Sequence, residues 1–293
     1  MFTLRKCDAP VGAEIHGLDL GADLDADTFQ RVADAFAEHS VLVFKNQRIT
    51  EAQHIAFSRR FGELEVLGFY QSYLHPEHQE IFVVSNIVEN GKPIGLQEAG
   101  RVWHTDVSYK KEPSMGSLLH AKEVPHTDDG KPLGDTLFAS TSVAYDALPA
   151  ETRTRIDGLR AVHRLDEARY QREPGTQKAR GTRAALTEEQ KKLIQDVIHP
   201  VVRTHPVTGR KCIYVNELYT FGIVDMPEAE GARLVADLCA HITQPRFIYR
   251  HKWSVGDLLM WDNCATQHLA IGDYSASQRR LMYRTTVRGG VPF

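Results

Sequence analysis

The second half of this chain is cut into apolar runs too short for helices, each closed by polar or glycine-containing turns. Cys212 to Val215, Arg246 to Tyr249, Asp257 to Trp261 and Arg280 to Val287 read as strands. Upstream, Trp103 to Ala139 gives further β-like runs, broken by the polar loop from His126 to Pro132. Many short strands separated by turns suit a jelly-roll-type barrel.

Helical spacing is confined elsewhere. Phe29, Val32, Ala33 and Phe36 fall on one helix face, and Ser40 to Phe44 then reads as a short buried strand. Thr50 with Gln53 forms a capping-box pattern for a helix through Ile55 and Ala56, which Gly62 is placed to end. Glu80 to Ser85 is another strand candidate. Thr187 and Gln190 predict a helix through Leu193, Ile194 and Val197, and Pro227 opens one carrying Leu234, Val235 and Leu238 on one side. No repeat, Gly/Ser linker or composition break divides the chain. The expectation is therefore one domain over residues 1–293, mainly β with helices, a jelly-roll core decorated by α-helices. Residues 166–185 are rich in charge, Gln, Gly and Arg without apolar periodicity, which marks a possible lid.

Composition excludes some partners. The 293 residues carry a formal net charge of -3, no electrostatic reason to expect nucleic acid or an anionic membrane surface. Arg5 and Lys6 stand where a signal peptide needs an apolar run, and no stretch approaches the roughly 20 apolar residues of a membrane span. Cys7, Cys212, Cys239 and Cys264 stand far apart without a C-x-x-C pair, so reduced thiols in a cytoplasmic protein are expected. The 14 histidines carry more information, because some could be metal ligands.

A non-haem iron site needs two imidazoles and one carboxylate on one face of the metal, with the remaining positions open. A His-x-Asp pair on a strand end supplies two of the three, since i and i+2 project to one side. Four His-x-acid pairs occur: His75/Glu77, His78/Glu80, His104/Asp106 and His126/Asp128. The first two lie in a Pro-containing polar stretch, and His126/Asp128 in a loop with Asp129, Gly130 and Pro132. Only His104 and Asp106 have the aromatic and β-branched neighbours of a half-buried strand, Trp103, Val107 and Tyr109 among them. A distant strand must bring the second imidazole, and the run from Trp253 to Asn263 delivers His268. Beyond it, Arg280 and Arg284 share one face of an apolar strand while Leu281 and Tyr283 take the other. Two guanidiniums directed into a core are costly unless they meet anions; a small dicarboxylate would match them, and so would internal Asp or Glu. Arg279 competes with Arg280 for this role, but faces oppositely in a regular strand.

Taken together, the motifs Phe61-Gly62-Glu63-Leu64, Trp103-His104-Thr105-Asp106-Val107, Gly134-Asp135-Thr136, His199 to Pro206, Val215-Asn216-Glu217, Trp261-Asp262-Asn263, Gln267-His268 and Arg280 with Arg284 resemble the taurine/2,4-D dioxygenase family. The resemblance covers nearly the whole chain. It implies a double-stranded β-helix fold, iron(II) as cofactor, and 2-oxoglutarate and dioxygen as co-substrates. His104, Asp106 and His268 would hold the metal. Thr136 and Arg280 would hold the distal carboxylate of 2-oxoglutarate, and Arg284 would lie near its inner carboxylate and an anionic substrate. The implied reaction oxidises a C–H bond with release of succinate and carbon dioxide, and a homodimer or homotetramer is expected.

Taurine itself fits poorly. Leu67 and Gly100 occupy the positions of two polar taurine contacts, while Tyr70 matches a pocket aromatic and Leu165 and Tyr219 replace Phe. With Val107 beside the metal pair, these residues suggest a larger, less polar organic anion: a sulfonate, alkyl sulfate, aryloxyalkanoate or modified amino acid. Ser85 to Gly95 also resembles family members that modify acyl amino acids. Two other readings stand beside this one: a zinc hydrolase, and a catalytically silent barrel that binds 2-oxoglutarate or another anion.

Overall fold

A computed structural model describes residues 2–166, 169, 187, 188, 191 and 194–293. In chain order its elements are β1 Thr3–Lys6, β2 Ala13–His16, α1 Ala26–His39, β3 Val41–Phe44, α2 Glu51–Arg59, β4 Phe82–Ser85, β5 Val88–Glu89, β6 Lys92–Pro93, β7 Gly116–Glu123 and β8 Thr136–Ser140. There follow α3 Thr141–Asp146, α4 Ala150–Ile156, β9 Arg160–His163, β10 Val197–Pro200, β11 Val202–Thr204, β12 Lys211–Ile213, β13 Thr220–Ile223, α5 Glu228–Ile242, β14 Ile248–His251, β15 Leu258–Asp262, β16 Thr266–Ala270 and β17 Leu281–Val287.

The largest sheet has seven strands in the order β1-β2-β3-β15-β7-β17-β4. Its central strands read as unbroken apolar runs because both faces are buried. Along β3 and β15, Val41, Val43, Leu259 and Trp261 point to one core, while Leu42, Phe44, Leu258 and Met260 point to another. The second core is closed by Val32, Ala35 and Phe36 of α1 and by Ile55 and Phe57 of α2. The first faces the three-stranded sheet β14-β8-β16, with Phe138 of β8, Tyr249 of β14 and Trp253 packed against Trp261 and Leu259. A third core gathers α3, α4, α5, β9 and β11 to β13 around Ile156, Ile213, Leu238 and Ile242. The described fold is thus β-rich with helices packed around it, and none of its helices is long and apolar enough to cross a membrane.

The capping box at Thr50 and Gln53 is formed in full, and Gly62 lies just past the end of α2 with φ 148°. Two expectations need correction. Val197 opens β10 and pairs with His163 instead of ending a helix. His104 and Asp106 are not on a regular strand: His104 makes a single antiparallel bridge to His268, and the chain then turns. The side chain of Asn263 takes the place of a neighbouring strand, accepting from the Asp106 N–H at 3.2 Å, while Thr105 donates to the Asn263 carbonyl at 2.7 Å. Most of the possible lid at 166–185, and residues Gln190 and Leu193 of the helix expected after it, lie outside the described residues.

Candidate metal and co-substrate site

The bridge between His104 and His268 closes the site. Paired backbone hydrogen bonds of 3.2 and 2.8 Å set the two residues opposite one another, with ring centroids 4.1 Å apart. The Nδ1 of His104 lies 2.8 Å from the carbonyl of Val102; donating there fixes its tautomer and leaves Nε2 as a lone-pair donor. Nε2 of His104 and Nε2 of His268 stand 3.7 and 3.9 Å from Oδ1 of Asp106. Cis ligands of an octahedral metal at about 2.1 Å lie about 3 Å apart, so sub-ångström contraction brings all three onto one ion.

Electrostatics prepares the same atoms. Burial, the neighbouring His104 and the Arg284 charge hold the His268 imidazole well below its usual range, so it is neutral and able to ligate. For Asp106, burial pushes the carboxyl up, but Arg284, both imidazoles and Ser117 outweigh it and hold it well below the usual carboxylate range. Ser117 donates to Asp106 Oδ2 at 2.7 Å, and Arg284 Nη1 lies 3.1 Å from Oδ1, the oxygen facing the imidazoles. The guanidinium therefore neutralises the carboxylate that a metal would share. Two imidazole nitrogens and one carboxylate oxygen, all buried and converging, suit iron(II).

The other expected residues fall around this centre. Met282 and Arg284 alternate onto the face of β17 that meets the first core, and Arg280, immediately before the strand, is buried. Arg279 instead points outward into a bidentate pair with Glu123 at 2.8 and 2.9 Å. Thr136 is buried at the start of β8, where its hydroxyl accepts from the Trp253 indole at 3.0 Å and keeps its own proton to donate. A small cavity of about 30 Å³ opens beside His104 and Asp106, and Leu67, Tyr70, Gly100, Val107, Tyr219 and Arg284 all line it. Leu165 packs in the surrounding core and is not on that wall.

Several residues on the site carried no signal that reading by residue type could weigh. Asn263 holds the Asp106 N–H and passes its amide to Ser117 Oγ at 3.3 Å, which in turn holds Asp106. In the sequence it reads as a turn residue that ends the Trp261-Asp262-Asn263 motif, with nothing to tell its role. Phe82 and Leu96 join the cavity wall from other segments, and Ala99 and Tyr109 from the chain on either side of His104 and Asp106. A second cluster, His205, Asp262 and Cys264, is also buried and closely spaced. It is already closed as a hydrogen-bond unit. His205 Nδ1 accepts from the N–H groups of Val207 and Thr208, so Nε2 carries the proton and donates to Asp262 at 2.6 Å. Burial and the Asp262 charge keep the Cys264 thiol protonated, leaving no lone-pair set for a metal.

Comparison with known proteins agrees with this geometry. Residues 3–286 match the model of the taurine catabolism dioxygenase TauD, TfdA family. Pentalenolactone F synthase of Streptomyces arenae is 33% identical over 280 residues, covering 94% of this chain and 91% of that protein. The alpha-ketoglutarate-dependent 2,4-dichlorophenoxyacetate dioxygenase of Cupriavidus pinatubonensis is 34% identical over 284 residues, covering 94% and 93%. The crystal structure of AAD-2 in complex with Mn(II) and N-oxalylglycine superposes with a TM-score of 0.79 at 33% identity, covering 100% of this chain and 99% of that one. With its convergent His-Asp-His set and a match from end to end, the chain belongs to the TauD, TfdA family of 2-oxoglutarate (α-ketoglutarate)-dependent, iron-using dioxygenases.

Proposed function

We propose that this dioxygenase oxidises a C–H bond of a small to medium organic anion with an apolar, aryl-sized body, an aryloxyalkanoate or alkyl sulfate rather than taurine. The observation that carries the reading is the cavity beside His104 and Asp106. Its walls are Leu67, Phe82, Leu96, Val107 and the rings of Tyr70, Tyr109 and Tyr219, and among the described residues its one guanidinium is that of Arg284. An apolar wall with a single cation at the metal end favours an amphiphilic anion held head-first. The 2,4-dichlorophenoxyacetate dioxygenase among the relatives supports the same substrate class.

Iron(II) held by His104, Asp106 and His268, with 2-oxoglutarate and dioxygen, would supply the oxidising chemistry. The chain's own contribution is placement. Asn263 and Ser117 fix the Asp106 carboxylate, and the His104 tautomer is set by Val102. Thr136 and Arg280 would receive the distal carboxylate of 2-oxoglutarate. Arg284, released from Asp106 when a metal shares that charge, would turn to the inner carboxylate and the substrate anion. The cavity holds about two waters at its present size, so Tyr70 and its neighbours must yield to admit substrate. Tyr70 lies at a break in the 3-10 turn Gly68–Tyr73, with φ -125° and ψ 35°, where such yielding costs little secondary structure.

The reading extends to one catalytic domain over residues 1–293 with a double-stranded β-helix core. The facing of the seven-stranded sheet and β14-β8-β16 across Phe138 and Trp261 supports it. It also places the protein in the cytoplasm as a homo-oligomer, with its four free thiols in keeping with a reducing compartment. Substrate-stimulated succinate release is the test. A panel of aryloxyalkanoates, alkyl sulfates, sulfonates and modified amino acids should give at least one compound that raises succinate above the uncoupled background, with taurine at background. Stimulation by taurine alone, or by no anion, defeats the proposal.

A further inference from the structure

Arg101 is a second buried-head cation that no role so far accounts for. It stands three residues before His104 and does not line the substrate cavity. Its guanidinium carbon lies 5.2 Å from the ring centre of Tyr274, and that of Arg280 lies 5.9 Å from the same ring. The backbone is pared away around both heads. A Cβ on Gly272 would fall 1.9 Å from Arg101 Nη1, and one on Gly134 would fall 3.2 Å from Arg280 Nε. Gly134 stands two residues before Thr136, so the pair of guanidiniums sits at the entrance to β8.

Among the described residues neither cation has an anion. Arg101 Nη1 and Arg280 Nε are both buried without a hydrogen-bond partner. The carboxylates of the adjoining segments have other partners: Asp273 accepts from the Gly134 N–H at 2.7 Å, and Asp135 pairs through Oδ2 with Arg250 at 2.6 Å, its Oδ1 being buried without a hydrogen bond. Among the described residues, no ion pair is made by Arg101 or Arg280. Burying two like charges around one tyrosine is unfavourable unless a ligand brings negative charge between them.

We propose that Arg101 and Arg280, both packed against Tyr274, form a two-guanidinium pocket for the distal carboxylate of 2-oxoglutarate. This rests on the co-substrate reading above and adds Arg101 to it. Arg101 then acts as a selectivity residue, rewarding a 2-oxo acid that carries a second carboxylate. The opposing guanidinium pulls the Arg280 charge in the same direction as burial does, toward neutrality, and a bound carboxylate relieves both effects. Tyr274 and Gly272 belong to the loop between β16 and β17, so that loop is expected to tighten when the co-substrate binds.

The test is calorimetric binding to the manganese(II)-loaded full chain under argon, without turnover. Two ligands are compared: 2-oxoglutarate and 2-oxopentanoate, which keeps the chelating end and lacks the distal carboxylate. Arg101→Gln should weaken 2-oxoglutarate about tenfold or more, the scale of one charged hydrogen bond, and leave 2-oxopentanoate within about twofold. Gly272→Ala, which displaces the Arg101 head without removing it, should act in the same direction. Equal weakening of both acids by Arg101→Gln means a structural role and overturns the proposal. Unchanged 2-oxoglutarate binding in Arg101→Gln, alongside weakened binding in Arg280→Gln, overturns it as well and leaves the co-substrate pocket standing. If Arg280→Gln also binds 2-oxoglutarate normally, the co-substrate reading itself falls.

Discussion

Asp106 is held by three groups of different kinds, and each can be removed separately. Arg284 competes with a metal for Oδ1, whereas Asn263 and Ser117 orient the carboxylate without opposing one. The two kinds of loss should therefore have opposite signs. Arg284→Gln should bind manganese(II) a few-fold more tightly in the absence of 2-oxoglutarate, yet need more 2-oxoglutarate for half-maximal turnover; a metal titration followed by a kinetic one checks both halves. Asn263→Ala should bind the metal about 10- to 100-fold more weakly, as supporting residues around metal ligands usually do, read by the same titration. Val107 follows Asp106 with φ 49°, unusual for a β-branched residue, and that turn sends the chain along the cavity wall right after the ligand. His104, Asp106 and His268 were legible because residue type and spacing carry metal chemistry. Asn263 was legible only as the end of the Trp261-Asp262-Asn263 motif, without its role, and Arg101 not at all, because their meaning comes from partners far away in sequence, Asp106 for one and Gly272 with Tyr274 for the other.

At the scale of elements, α2 connects the N-terminal layer to the strand that carries the arginines. Ser58 of α2 meets Thr285 of β17 at 2.7 Å, and His54 meets the same hydroxyl at 3.2 Å. Thr50→Ala removes the capping box and should cost about 1 kcal/mol, seen as a fall in Tm of about 2 °C by calorimetry. Since α2 rests on the face of β17 opposite Arg280 and Arg284, the 2-oxoglutarate requirement should stay close to that of the unaltered protein. The helices and strands of this layer were readable from local signals: a cap at Thr50, helical spacing from Phe29 to Phe36, and apolar runs in β3 and β15 buried on both faces. The segment around His104 misled because aromatic and β-branched neighbours suit a strand, while a side-chain amide from Asn263 took the ladder's place. Val197 misled for a related reason: helical spacing from Ile194 onward gave way to pairing with His163 on β9.

The whole molecule buries uncharged histidines that must protonate when it unfolds in acid. Burial first, then the neighbouring His120 and Lys122, lower His54 to about 3; burial and His199 lower His163 to about 3. Both lie below the unfolded value of about 6.5, so their contribution to stability is complete above pH 6.5 and is lost as pH falls from there toward 3. Each should cost about 2 kcal/mol by pH 5, and urea unfolding at pH 7 and pH 5 should show it. His54→Gln should make that pH dependence shallower; an equally steep fall would mean that His54 is not buried neutral. These groups belong to the scaffold, and the central claim lies at the His-Asp-His set itself. It is tested by adding iron(II) and then 2-oxoglutarate to metal-free protein under argon while recording the visible spectrum. The account predicts a weak charge-transfer band from the iron–2-oxoglutarate chelate, absent in Asp106→Ala and in His268→Ala. Iron binding without that band, or a band that survives either substitution, would contradict it.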